Sequence, residues 1–151
     1  MFYLIHALAG IFIGKSLNSL ILISLLAFIS HFLLDMIPHW DGHFDKSDFI
    51  KSGKAKIKKS TFLLRAVDGI LGISAIIFFY YQFNLIGVLI GGFFAVLPDM
   101  IKIGYYSKLK NNKYFNNYLK FHAKIQRDVS RNFGIIIQIL ISLIILYFIT
   151  F

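Results

Sequence analysis

Five apolar runs constrain the fold of this chain more than any other feature. They cover Phe2 to Gly14, Leu17 to Leu34, Ala66 to Phe83, Leu85 to Leu97 and Phe133 to Phe151. A membrane-spanning helix needs about 20 residues, so the second, third and fifth runs are long enough, and the other two require tilt or polar ends. Of the 151 residues, 58% are hydrophobic and 15% are charged, which excludes a water-soluble enzyme or a disordered chain. We predict one all-α domain over residues 1–151, a polytopic membrane bundle of about five helices.

The basic residues predict the orientation of this bundle. Fifteen of the sixteen lie in the two long segments between the second and third runs and between the fourth and fifth runs, and Lys15 is the exception. Basic loops stay in the cytoplasm, so we predict an integral protein of the cytoplasmic membrane with its N-terminus inside and its C-terminus outside. The first run lacks the basic flank of a signal peptide and is predicted to be a retained helix. Because topology accounts for the net charge of +9, we do not expect nucleic acid as a partner.

The second basic segment contains an amphipathic pattern. From Tyr114 onward, Phe115, Tyr118, Ile125 and Val129 fall on one helical face and Lys and Asn fall on the other. This pattern is typical of a helix that lies on an anionic membrane surface. His122 is on its apolar face and could fold down over a site, but we do not include it among the predicted ligands. The role of His43, in a polar turn, is left open.

Rare ionisable residues lie at the predicted cytoplasmic ends of four runs. His31 and Asp35 are one helical turn apart, and His39 follows Pro38. Small residues at spacings of three or four extend along the helix from each such position, and small residues let helices approach closely in lipid. We therefore expect these side chains to face one another inside the bundle. They are His6, His31, Asp35, Asp68 and Asp99.

Imidazole and carboxylate groups gathered in this way indicate a metal site. Converging carboxylates would repel one another without a cation, and His and Asp are ligands of Zn²⁺, with Mn²⁺ and Fe²⁺ as alternatives. We predict His6, His31, Asp35, Asp68 and Asp99 as metal ligands, and His39 and Asp35 as catalytic residues. Each also has a simpler interpretation: a hydrogen-bonded His31–Asp35 pair, an Asp68–Arg65 pair, a packed His6, His39 as an interfacial loop residue beside Trp40, or Asp99 as a helix terminator.

Three short motifs resemble one known family. His6 followed by Ala-Leu-Ala-Gly, the cluster His-Phe-Leu-Leu-Asp-Met-Ile-Pro-His at 31–39, and Leu-Pro-Asp at 97–99 are similar to motifs of small integral-membrane metal-dependent hydrolases of bacteria. The resemblance covers residues 1 to about 100 and implies that His6, His31, Asp35, His39 and Asp99 are metal or catalytic positions. The better-known branch of that family carries His-Arg-Gly-x-x-His-Ser after its Pro-Asp, whereas Met-Ile-Lys-Ile-Gly-Tyr follows Asp99 here.

Three functions are compatible with these patterns. The first is a membrane-embedded hydrolase that uses a divalent metal at the cytoplasmic membrane boundary to cleave a lipid or lipid-linked ester or phosphoester, whose anionic head group the basic residues would attract. The second is a non-catalytic membrane protein, such as a transporter or an assembly factor, with a structural metal or a proton-handling cluster. The third is a partner or nucleic-acid binder that uses the basic loops.

Overall fold

A computed structural model describes residues 1–40, 42, 58–102 and 112–151. They form six α-helices: α1 (Tyr3–Ser16), α2 (Leu20–Asp35), α3 (Lys59–Phe83), α4 (Ile86–Ile101), α5 (Lys113–Ile125) and α6 (Arg131–Thr150). Within these ranges there is no strand, although His39 and Asp128 pair in one isolated parallel bridge. The predicted all-α class is confirmed.

Helices α1 and α4 form the centre of the protein and touch through glycine. A Cβ added at Gly10 would lie 2.2 Å from the Gly91 carbonyl oxygen, and one at Gly14 would lie 2.1 Å from the Gly87 carbonyl oxygen. Glycine is therefore required at this contact, because any side chain would push the two backbones apart. Two of the small-residue stripes in the sequence are thus packed directly against each other.

Helices α3 and α6 lie at the periphery and are both long and apolar enough to cross a membrane. Only 17% of the residues in the apolar window of each helix are buried, so most of their apolar surface faces outward. The apolar helices α1, α2 and α4 are shorter, with 14, 16 and 16 residues.

Several helix ends differ from the prediction. Helix α3 begins at Lys59 rather than Ala66, and it ends at Phe83, the end of the third apolar run. Asn84 and Leu85 connect it to α4, and Asn84 adopts the left-handed conformation with φ of 52°, which Asn tolerates better than most residues. Helix α5 ends at Ile125, so Val129 does not belong to its apolar face. Val129 instead donates its backbone N–H to the carbonyl of His39.

Residues 37–40 follow α2, and we call them the strap. They lead from α2 to the contact between His39 and Val129. The His39 backbone N–H donates to the Arg127 carbonyl at 3.0 Å, and the Trp40 carbonyl accepts from the Gln138 amide of α6 at 2.7 Å. Gly134 of α6 lets the strap approach, because a Cβ there would lie 2.5 Å from the Trp40 backbone nitrogen. The strap therefore holds His39 at one end of the helical bundle.

Candidate metal centre

Four buried side chains from three helices meet at this end of the bundle. Helix α2 contributes His31 and Asp35, α4 contributes Asp99 and α5 contributes His122, and one ligand atom of each lies within 4.8 Å of every other. We call these four residues the ligand group. All are buried, with exposed fractions of 0 to 4%.

Five of the six distances within the ligand group are close to those of a tetrahedron, and the sixth, between Asp35 and Asp99, lies within 4.8 Å. His31 Nε2 lies 3.0 Å from His122 Nε2, 3.5 Å from Asp35 Oδ2 and 3.6 Å from Asp99 Oδ1. His122 Nε2 lies 3.5 Å from Asp35 Oδ2 and 3.6 Å from Asp99 Oδ1. A tetrahedron whose corners lie about 2.0–2.1 Å from its centre, the usual Zn–N and Zn–O distance, has edges of about 3.3–3.4 Å. The group could therefore hold a divalent ion with little rearrangement.

The orientation of His31 suits a metal ligand. Its Nδ1–H donates to the Ala95 carbonyl of α4 at 2.7 Å, which leaves Nε2 as the ring nitrogen with the lone pair. A backbone carbonyl on the second ring nitrogen is the usual way in which proteins fix a metal-binding histidine. The i, i+4 spacing on α2 then places Asp35 on the same side of the helix.

Helix α5 brings His122 to the ligand group. Leu119, His122 and Ala123 form its buried face, and the Tyr118 hydroxyl donates to the Pro98 carbonyl at 2.7 Å. Burial, followed by the positive charge of Lys102, lowers the pKa of His122 to about 4, so its ring is neutral near pH 7, the form that binds a metal. Burial also raises the pKa of Tyr118, with smaller contributions from Asp99 and Asp35.

Two cationic groups contact the carboxylates of the ligand group. The Lys102 ammonium pairs with Asp99 Oδ1, and the Met1 amino group donates to Asp35 Oδ1 at 2.7 Å. Asp35 Oδ2 also accepts from the Gln126 side-chain amide at 3.2 Å. The two oxygens of Asp35 thus face different surroundings, with Oδ2 toward the ligand group and Oδ1 toward Met1.

The predicted residues His6 and His39 lie on the Oδ1 side of Asp35. His6 Nε2 is 3.3 Å and His39 Nε2 is 3.8 Å from Asp35 Oδ1. The His6 ring also stacks on His31, with 3.9 Å between ring centroids. The structure therefore brings His6, His31, Asp35, His39 and Asp99 together as predicted, while His6 and His39 stand outside the ligand group.

Asp68 has a different role from the predicted one. Its carboxylate oxygens accept the backbone N–H groups of Tyr3 and Leu4 at 2.5 and 3.2 Å. These are donors at the beginning of α1 that have no partner within that helix. Asp68 therefore caps α1, and it does not belong to the ligand group.

Sequence reasoning left out two residues that matter here. His122 is not among the predicted ligands, because nothing in the sequence fixes how α5 docks. Its position on the apolar face of that helix is the sequence feature that indicates a buried role. Gln138 of α6 accepts from the Phe2 backbone N–H at 3.0 Å while it donates to Trp40, and a lone amide in an apolar run was its signal. Asp41 and His43 lie outside the described residues.

The chain was compared with protein-family models, curated proteins and solved structures, and none of them matches it.

Proposed function

We propose that this protein is a polytopic membrane protein of the cytoplasmic membrane and a hydrolase that uses one divalent ion, bound by His31, Asp35, Asp99 and His122, to cleave a lipid or lipid-linked phosphoester. The near-tetrahedral spacing of the ligand group carries the metal-binding part of this proposal, and hydrolysis requires a fifth position on the ion for water. Zn²⁺ fits the short, mixed nitrogen and oxygen coordination best, with Mn²⁺ or Fe²⁺ as alternatives.

The membrane part of the proposal rests on exposed apolar surface. Helices α3 and α6 expose large apolar side chains along their length, including Ile70, Ile73, Leu140 and Leu143, each more than half exposed. Water would disfavour so much apolar surface, whereas lipid would not. The three shorter helices would cross with tilt, local thinning or polar ends.

Single-cysteine labelling tests the topology, and the chain offers a clean background because it contains no cysteine. Lys58→Cys, just before α3, should be shielded from a membrane-impermeant maleimide in intact cells and labelled after permeabilisation. Leu85→Cys, just after α3, should be labelled in intact cells. Equal labelling of both positions without permeabilisation would contradict the proposed topology.

The residues suit hydrolysis in two ways. The ligand group would hold a divalent ion, which would supply a water of lowered pKa as the nucleophile. Two basic atoms that are not among the four ligand atoms, Asp35 Oδ1 and His39 Nε2, would accept the proton when a single ion is bound. The His39 Nδ1–H donates to the Ile37 carbonyl at 2.7 Å, which makes Nε2 the atom that accepts.

Charge favours a phosphoester over a neutral ester. The carboxylates of Asp35 and Asp99 are already paired with the Met1 amino group and the Lys102 ammonium. A divalent ion therefore adds positive charge in a buried place, and a phosphate group can balance it. The membrane location directs this preference toward a lipid or lipid-linked molecule.

Metal content and hydrolysis test the proposal together. We expect the purified protein to hold at least one tightly bound ion per chain, and His31→Gln and His122→Gln to lose both the ion of the ligand group and hydrolysis of bis(p-nitrophenyl) phosphate in detergent. His43→Gln is the matched control, because its predicted place is a polar turn, and it should keep both. Folded wild-type protein without bound metal, as isolated and after resupply, would refute the proposal.

One observation favours a second candidate, a structural metal in a non-catalytic protein. Four protein ligands fill a tetrahedron, whereas catalytic zinc sites usually keep one position for water. Co²⁺ substitution distinguishes the two candidates through the visible absorption bands of the ion. If phosphate or azide changes these bands, a coordination position is open and hydrolysis is supported, whereas unchanged bands support the structural role.

A further inference from the structure

We infer that the Oδ1 side of Asp35 is a second binding position for a divalent cation, with His6 Nε2, His39 Nε2 and Asp35 Oδ1 as its ligands. This inference rests on the proposed function, because it adds a second ion beside the one in the ligand group. The second ion would displace the Met1 amino group, which contacts both Asp35 Oδ1 and His39 Nε2. Asp35 would then bridge the two ions, with Oδ2 toward the first and Oδ1 toward the second.

The first observation is that a positive charge already lies at this position. The Met1 amino group is 2.7 Å from Asp35 Oδ1 and 2.5 Å from His39 Nε2. His39 Nε2 is a lone-pair atom, since Nδ1–H is committed to the Ile37 carbonyl. The ammonium group thus marks a place where a carboxylate and an imidazole lone pair both point at a cation.

The second observation is that His6 faces the same oxygen of Asp35. His6 is fully buried, and neither of its ring nitrogens has a hydrogen-bond partner among the described residues. A buried polar atom without a partner destabilises the fold, so such an atom calls for a ligand. His6 Nε2 lies 3.3 Å from Asp35 Oδ1, which is close to the separation of about 3.3–3.4 Å expected between two ligands of one tetrahedral ion.

The third observation is the arrangement of the two positions. They share a single carboxylate, and the rings of His6 and His31 stack at 3.9 Å, so each position receives one of two adjacent imidazoles. A shared carboxylate is consistent with ions about 3.5–4 Å apart, as in two-metal phosphoester hydrolases. The pair would bind a phosphate group through two of its oxygens, and His39 would then be a ligand rather than the proton acceptor.

The stoichiometry of Mn²⁺ tests this inference. Metal-free protein, prepared with a chelator, is titrated with Mn²⁺ and examined by elemental analysis and by electron paramagnetic resonance. We expect two ions per chain and the signal of a magnetically coupled pair. His6→Gln and His39→Gln should each hold one ion, with the affinity for the second ion weakened at least tenfold, and should lose the coupled signal.

His122→Gln is the matched variant on the other side of Asp35. It should also lose the coupled signal, but through loss of the first ion. One ion per wild-type chain, unchanged in His6→Gln and His39→Gln, would overturn the second position and leave the proposed function intact. No bound ion in the wild-type protein would instead refute the proposed function.

Discussion

The contact between α1 and α4 gives a prediction whose magnitude follows from the structure. In Gly10→Ala, the new Cβ would lie 2.2 Å from the Gly91 carbonyl oxygen and 2.7 Å from the Ala95 Cβ. Ordinary contact begins near 3.4 Å, so the helices must separate by about 1.2 Å. Overpacking of this kind lowers the free energy of unfolding by about 1–3 kcal/mol. We take the upper end of this range because the atom that obstructs the new Cβ belongs to the backbone. The gain in helix propensity offsets about 1 kcal/mol, which leaves a net loss of about 2 kcal/mol.

Thermal unfolding in detergent, followed by circular dichroism, measures this effect. A loss of about 2 kcal/mol should lower Tm by about 4–8 °C for a chain of this size. Gly69→Ala in α3 is the control, because a Cβ there meets nothing within 4 Å, and it should leave Tm unchanged or raise it slightly. Gly10→Ala with a Tm at or above that of the wild-type protein would refute the argument that glycine sets the distance between these helices.

Three further predictions concern the polar end of the bundle. Asp68→Asn removes the charge that caps α1, so we expect a loss of about 1 kcal/mol in stability, with the ion in the ligand group retained; loss of that ion would make Asp68 a ligand after all. Tyr118→Phe deletes the hydrogen bond to the Pro98 carbonyl and should cost about 1 kcal/mol, measured as a lower Tm, and an unchanged Tm would contradict it. In metal-free protein, Tm should fall as pH decreases from 6.5 toward 4, because the unfolded chain protonates His122 while the folded chain, with its lowered pKa, does not. This slope should flatten in His122→Gln, and an unchanged slope would show that other groups cause it.

Much of the fold could be predicted from the sequence because apolar runs and small-residue stripes act locally. The runs correspond to α1, α2, α3, α4 and α6, with errors at helix ends. The Gly10–Gly14 stripe and the Gly87–Gly91 stripe mark two helices that pack closely, and the structure places them against each other. The pairing of His31 with Asp35 follows from the helical repeat alone.

The rest depends on tertiary contacts that no local pattern specifies. His122 belongs to the ligand group because α5 docks with its Leu119 side inward, and the sequence equally allowed that helix to lie on a membrane. Asp68 shares the predicted depth of the ligand group, but its carboxylate accepts the N–H groups that begin α1. Depth in a bundle is therefore easier to predict than the partner of a given side chain.

The spread of the four ligands along the chain has a consequence for how the protein assembles. His31 and His122 are separated by 91 positions, and the ligand group is complete only when α2, α4 and α5 have all come together. The ion proposed for the ligand group would accordingly bind last, when the other helices are already packed, and it would stabilise the assembled bundle. Metal uptake during biosynthesis should then report complete tertiary assembly, in contrast to small domains in which the metal initiates folding.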